Sequence, residues 1–160
     1  MEPSSTEPDW SREAKAFWAW SPSRSLLASL RAYERGGPMT RRVAVLRHRF
    51  WSVVTGAEIP LGSKIAGGLL IPHPNGVVVH PDAVIGPNCL LFQQVTLGTA
   101  RKNGGAPVLA GHVDVGAGAK VLGEITIGAD ARIGANAVVL SNVPAGSTVF
   151  GIPARPLEEQ

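Results

Sequence analysis

A histidine bracketed by prolines is the first feature of this chain suited to moving a proton. His73 lies in Ile71-Pro72-His73-Pro74-Asn75-Gly76, where the prolines and the glycine make a rigid, shaped bend. A neutral imidazole is the side chain best matched to general-base work near neutral pH. Such a base needs a group to set its tautomer, and a carboxylate on one ring nitrogen leaves the other free to accept a proton. Glu58 stands fifteen residues earlier, close to one turn of a three-sided coil, so Glu58 and His73 form the candidate catalytic pair. The competing readings are a structural histidine and a glutamate simply exposed on a first rung. His80 and His112, beside Pro81 and Gly111, read as solvent-facing turn residues. Three histidines on one coil face could hold zinc, but these are scattered, so no metal is expected.

The element that must position this pair is a repeat. Counting in sixes from Leu61 gives Gly67, His73, Val79, Ile85, Leu91 and Leu97, and the beat resumes at Leu109, Val115, Val121, Ile127, Ile133 and Val139. A second beat falls four residues after the first, as Ile65, Ile71, Val77, Ala83, Cys89 and Val95, then Val113 through Val149. On this count His73 takes a place where the repeat calls for a large aliphatic. A fixed period defines the architecture, and six is neither the helical 3.6 nor the simple alternation of an amphipathic strand. Gly, Ala, Asn, Asp and Pro between the aliphatics suit tight turns joining very short strands. The expectation is an all-β parallel β-helix, against the alternative of a Gly-rich sandwich.

Before the repeat lies a helical extension. Ser21-Pro22 reads as a helix start and Gly36-Gly37 as its stop, with Leu26, Leu27, Leu30 and Tyr33 on one face. A second helix fits Met39 to about Val54, with Val43, Leu46, Phe50 and Val53 at helical spacing and Gly56 at its end. Trp10, Phe17, Trp18 and Trp20 predict docking on the body or on a neighbouring subunit. The domain reading is residues 1–56 for the extension, 57–155 for the coil and 156–160 for a frayed tail. Thr99 to Pro107 has no aliphatic at the expected Asn103 and reads as a loop pushed out of the coil. Loops of this kind commonly carry function. Gly151-Ile152-Pro153-Ala154-Arg155-Pro156 is not expected to continue a strand ladder.

Composition narrows the classes. The chain has 160 residues, 44% of them apolar, and a net charge of +3. Arg41, Arg42, Arg47 and Arg49 read as a solvated helix face or an inter-subunit surface, and no accompanying motif supports nucleic-acid binding. A single cysteine, Cys89, excludes an intrachain disulfide and reads as a buried small hydrophobe. With no signal segment and no apolar run of spanning length, a cytoplasmic protein without a membrane partner is expected.

Five segments together carry a resemblance: Glu58-Ile59-Pro60, Ile71-Pro72-His73, Gln94-Val95-Thr96-Leu97-Gly98, Val115 to Gly123, and Gly151-Ile152-Pro153-Ala154-Arg155. Over residues 53–155 the chain resembles the hexapeptide acyltransferases, most closely the serine O-acetyltransferases. The resemblance implies a left-handed parallel β-helix, an exception to the usual right-handed crossover, in a homotrimer with acetyl-CoA between adjacent coils. It implies His73 as catalytic base, Glu58 in the place of an orienting Asp, and Gly98, Thr99, Gly116, Ala117, Arg132 and Ala135 as CoA-lining residues. It further implies acetylation of the L-serine hydroxyl, with a sugar hydroxyl as the alternative acceptor and a non-catalytic trimeric scaffold as the alternative class. This chain departs from the pattern in three places. Glu58 replaces an Asp, Pro72 stands where an Asp contacts the amino acid, and the loop offers Gly105-Ala106 in place of an Arg-His pair.

Overall fold

The computed structural model describes residues 6–16, 18–101 and 104–156. Phe17, the centre of the expected loop at Lys102 and Asn103, and the tail from residue 157 lie outside them. Two helices precede the coil: α1 (Pro22–Arg35) and α2 (Pro38–Thr55), each with a proline in its first turn. Gly56 closes α2 with φ of 64°, a left-handed conformation that glycine reaches without strain.

From there the chain winds through three faces in turn. Face A stacks β1 (Lys64–Ile65), β3 (Val84–Ile85), β6 (Val108–Leu109) and β9 (Thr126–Ile127). Face B stacks β4 (Leu90–Leu91), β7 (Asp114–Val115), β10 (Arg132–Ile133) and β12 (Thr148–Phe150). Face C stacks β2 (Val78–Val79), β5 (Thr96–Gly98), β8 (Lys120–Leu122) and β11 (Val138–Val139). All these pairings are parallel, as the expected parallel β-helix requires. Each strand is only two or three residues long, so one residue points in and its neighbours point out. Ile59, Ile85, Leu91, Leu97, Leu109 and Ile127 fill the interior at 0–1% exposure.

The corners explain the polar residues between the aliphatics. On the edge between faces B and C, left-handed residues stack as Gly76, Gln94, Gly118 and Asn136, with φ between 56° and 73°. On the edge between A and B the same role falls to Gly68, Asn88, His112 and Asp130. Asn, Asp and His tolerate this region better than most side chains, so these positions turn the coil.

The pairing corrects the phase of the first coil. Glu58 bridges Val78, Ile65 pairs with Ile85 and Leu70 bridges Leu90, so that coil takes 20 residues where the next, from Val78 to Thr96, takes 18. The inward beat therefore begins Ile59, Ile65, Ile71 and steps eight residues to Val79. Leu61, Gly67 and His73 do not belong to it. His73 sits on the enlarged B–C corner, exposed, and replaces no core aliphatic. The last coil is short instead, since Val143 bridges Ile127 and Val149 pairs with Ile133, moving both valines onto the primary beat.

One further expectation meets a different outcome, and the structure adds detail on α2 and the tryptophans. Residues 155–156 do join a ladder, as β13 (Arg155–Pro156) antiparallel to β12, because Gly151 at φ 91° reverses the chain onto an edge where proline's missing N–H is no loss. The helical face of Val43, Leu46, Phe50 and Val53 is exposed, while α2 buries Ala44, His48 and Thr55 against the rest of the protein. Of the tryptophans, Trp10 docks: its ring occupies the space where Gly67 would carry a Cβ, with Arg35 and Arg31 over it at 4.5 and 5.2 Å. Trp18 and Trp20 remain exposed, although Trp20 meets Trp51 edge-on at 5.6 Å.

Cys89 is fully buried, with its Sγ–H directed at the Ala110 carbonyl at 3.2 Å. Burial pushes its pKa up to about 11. Because the thiolate is the reactive form, iodoacetamide at neutral pH is expected to label Cys89 only after denaturant is added. Rapid labelling of the native protein would contradict the closed interior.

Candidate active site

His73 lines an open depression of about 520 Å³ beneath the helical extension. Ser21 and Ser23 reach it from the start of α1, Thr55 from the end of α2, and Trp20 from the segment before them. Pro72, Pro74 and Asn75 supply the coil side. Among the described residues, no titratable side chain other than the imidazole lines it.

The B–C edge that carries His73 continues up the coil through hydrogen-bonded corners. Gln94 N–H donates to the Asn75 carbonyl at 2.9 Å, Gly118 N–H to that of Gln93 at 2.8 Å, and Asn136 N–H to that of Ala117 at 2.8 Å. His73, Gly116, Ala117 and Ala135 therefore share one edge of one chain. Gly116 is tightly packed, since a Cβ there would come within 2.7 Å of the Ala135 amide. Arg132 projects from the adjoining face B, exposed and without an ion-pair partner among the described residues. Gly98 and Thr99 lie elsewhere, at the end of β5 on the edge between faces C and A. The structure thus gathers four of the six expected CoA-lining residues around the His73 edge and leaves two on another.

Glu58 is not bonded to His73. It lies exposed on face C, one coil from Val78, and borders a separate depression of about 400 Å³ with His48, Arg49 and Ser52. The coil takes 20 residues at this point, so Glu58 stands opposite Val78, five residues beyond His73. A carboxylate lies within hydrogen-bond distance of another imidazole, His112, whose Nδ1 is 2.8 Å from Asp130 Oδ1 on the A–B edge, while His80 Nδ1 is 3.7 Å from Asp82 Oδ2. His112 and Asp130 are left-handed corner residues stacked on successive coils. His80 Nδ1 accepts a hydrogen bond from the Asp82 amide at 3.2 Å and closes its own turn.

Sequence reasoning passed over Gln93. Its Oε1 is buried and has no hydrogen-bond partner, and the residue sits on the B–C edge between His73 and Gly116. Buried acceptors are seldom left unpaired, so this oxygen has capacity for one more donor. The signal was its position in Gln93-Gln94, at a corner otherwise built from small residues. Among the described residues, no group of three His, Cys, Asp or Glu is placed to hold a metal, and no helix is long and apolar enough to cross a membrane.

No protein-family model matches the chain. It is 50% identical over 105 residues to a serine acetyltransferase of Synechococcus elongatus, covering 64% of this chain and 43% of that protein. To a serine acetyltransferase of Mycobacterium tuberculosis it is 40% identical over 125 residues, covering 77% and 53% respectively. The solved structure of soybean serine acetyltransferase complexed with serine superposes with a TM-score of 0.71 at 36% identity, covering 85% of this chain and 56% of that one. A serine acetyltransferase structure in complex with CoA superposes with a TM-score of 0.70 at 33% identity, covering 85% and 55%. The chain therefore spans about half the length of the relatives it matches.

Proposed function

We propose, from a coil that belongs to the hexapeptide-repeat serine O-acetyltransferase family, that this protein transfers the acetyl group of acetyl-CoA to the hydroxyl of L-serine. The observation that carries the reading is an exposed His73 on the same coil edge as Gly116, Ala117 and Ala135, in a chain homologous to serine acetyltransferases. In the reaction, His73 accepts the proton of the acceptor hydroxyl as its oxygen attacks the thioester carbonyl. Backbone N–H groups near the Gly98 turn of a neighbouring subunit stabilise the oxyanion. The C–S bond then breaks and the CoA sulfur takes the proton from His73.

Three features of the chain fit CoA. The orphan Gln93 Oε1 can accept from a pantetheine amide, the small residues of the edge let the arm approach the backbone, and Arg132 offers an unpaired guanidinium to phosphate. Glu58 enters as the carboxylate free to orient the imidazole, since no cation among the described residues holds it. The reading also takes the coil as left-handed and the protein as a homotrimer. In such a trimer the C–A edge of one subunit, with Gly98 and Thr99, would lie against the B–C edge of the next.

One observation favours a second acceptor class. Serine is a zwitterion, yet among the described residues the depression around His73 offers tryptophan, valine, serine, threonine, proline and asparagine and no charged partner for an ammonium or a carboxylate. A neutral sugar hydroxyl suits that lining. CoA-thiol release from acetyl-CoA, measured against a panel of amino acids and sugars, separates the two. Release with serine is the expected result. Release with sugars alone would overturn serine as the acceptor, and release with no acceptor in a protein that also fails to bind CoA would overturn acetyl transfer.

A further inference from the structure

The helix α2 turns its apolar stripe away from the protein. Val43, Phe50 and Val54 are 50, 57 and 40% exposed, and Met39, Leu46 and Val53 reach 69, 67 and 84%. At 100° per residue these six side chains span a sector of about 100°. The buried side of the helix, formed by Ala44, His48 and Thr55, is already packed, so the stripe is not a misplaced core, and only its Val54 end, with Trp20, borders the His73 depression. It broadens at its C-terminal end, where Phe50 meets Trp51 at 5.1 Å and Trp51 meets Trp20, itself 75% exposed.

Charge decides what can cover it. Arg42 and Arg49 border the stripe on one side and Arg47 on the other, and α2 contains no acidic residue. Between Pro22 and Thr55 there are seven arginines and a single acid, Glu34, which is bonded to Arg31. Two copies pairing along this helix would set arginine against arginine, as like charges at flanking positions do in a disfavoured coiled coil. A stripe this broad also exceeds the narrow seam of a two-helix contact. A helix with arginines on both borders, aliphatics and phenylalanine between them and tryptophan beside them has the composition of one that lies in a lipid interface.

We propose that α2 docks the protein on an anionic lipid surface, its stripe entering the headgroup boundary while Arg42, Arg47 and Arg49 pair with lipid phosphates. This departs from the expectation that the protein has no membrane partner, and it concerns lying on a bilayer, not crossing one. It does not depend on the acyl acceptor.

The test is co-sedimentation of the full chain with vesicles. Phosphatidylcholine vesicles containing phosphatidylglycerol are expected to carry the protein down at low salt, less so at raised salt, and pure phosphatidylcholine hardly at all. Replacing Leu46→Glu together with Val53→Glu, both exposed, is expected to abolish sedimentation while the melting temperature holds. Each of Arg42→Gln and Arg49→Gln should weaken partition roughly fivefold, the equivalent of about 1 kcal/mol per basic residue near an anionic surface. No sedimentation with the anionic vesicles at low salt would overturn the proposal, as would equal sedimentation of the Leu46→Glu/Val53→Glu variant. A fall in solution mass in that variant, with no vesicle binding by the wild type, would assign the stripe to a second copy and overturn it as well.

Discussion

His73→Ala is expected to lower acetyl-CoA-dependent turnover by about 10²–10⁴-fold, the usual contribution of a general base. CoA affinity and melting temperature should hold, because His73 is exposed on an enlarged corner and carries none of the interior packing. His73→Asn should do no better, since an amide cannot take the proton. Glu58→Gln should cost less, because an imperfectly oriented imidazole still acts. If Glu58 does orient it, the double variant should be little worse than His73→Ala alone, as groups acting as one unit are non-additive. Losses that multiply would leave Glu58 as an exposed first-rung residue, in keeping with the absence of a bond between them in one chain. His112→Ala is the informative control. Its imidazole already holds a carboxylate at 2.8 Å, so a large loss there and none at 73 would move the base to the A–B edge.

Glu13→Ala is expected to destabilise the protein by about 3–5 kcal/mol, the range for removing one partner of a buried ion pair. Glu13 Oε1 accepts from Arg31 Nη2 at 2.9 Å and from the Gly68 and Leu69 amides at 2.9 and 3.2 Å, while Oε2 accepts from Arg31 Nε at 3.1 Å. The two side chains are only 8 and 11% exposed. Desolvation works against the Arg31 charge, yet Glu13 and Glu34 outweigh it and raise its pKa above the ordinary value. One glutamate thus joins the N-terminal segment, α1 and the first A–B corner of the coil. Asn88 supports the same strap, accepting from the Asp9 amide at 2.7 Å through Oδ1 and donating to the Glu7 carbonyl at 2.7 Å. Without Glu13, the guanidinium is left buried with one exposed partner in Glu34 and the carbonyls of Ile65 and Ala66. Glu13→Gln should fall between, since it keeps an acceptor and loses the charge. Thermal unfolding gives the answer. A loss within the range of an exposed pair, about 0–1 kcal/mol, would mean the strap does not clamp the helices to the coil.

The hexad beat from Val79 to Val139 was legible because each inward residue must be apolar and each corner must turn. Its two phase errors arose where the chain changes its count. Proline and glycine in 72–76 permit an enlarged corner, and nothing local distinguishes that from a histidine in an aliphatic slot. The placing of the α2 face was not legible in the sequence. Val43, Leu46, Phe50 and Val53 have a helical period, but period alone does not say which surface they meet, and Ala44 and His48 won the interior place. The strap could not be foreseen, since Glu13, Arg31 and Gly68 are linked only by the tertiary fold. At the site, His73 and the small residues of its edge were readable as chemistry and as resemblance. Gln93 was hidden because a glutamine at a corner looks like any solvated turn residue until its oxygen is found buried and unpaired.

The most direct measurement follows the acetyl group itself. Acetyl-CoA carrying an isotope-labelled acetyl group is incubated with L-serine and the protein, and the products are separated and identified by mass spectrometry. The label should leave CoA and appear as an ester on the serine hydroxyl, in step with the free thiol released, and His73→Ala should suppress both together. Label that stays on CoA with every hydroxyl acceptor offered, in a protein shown to be folded, would contradict acetyl transfer by this coil.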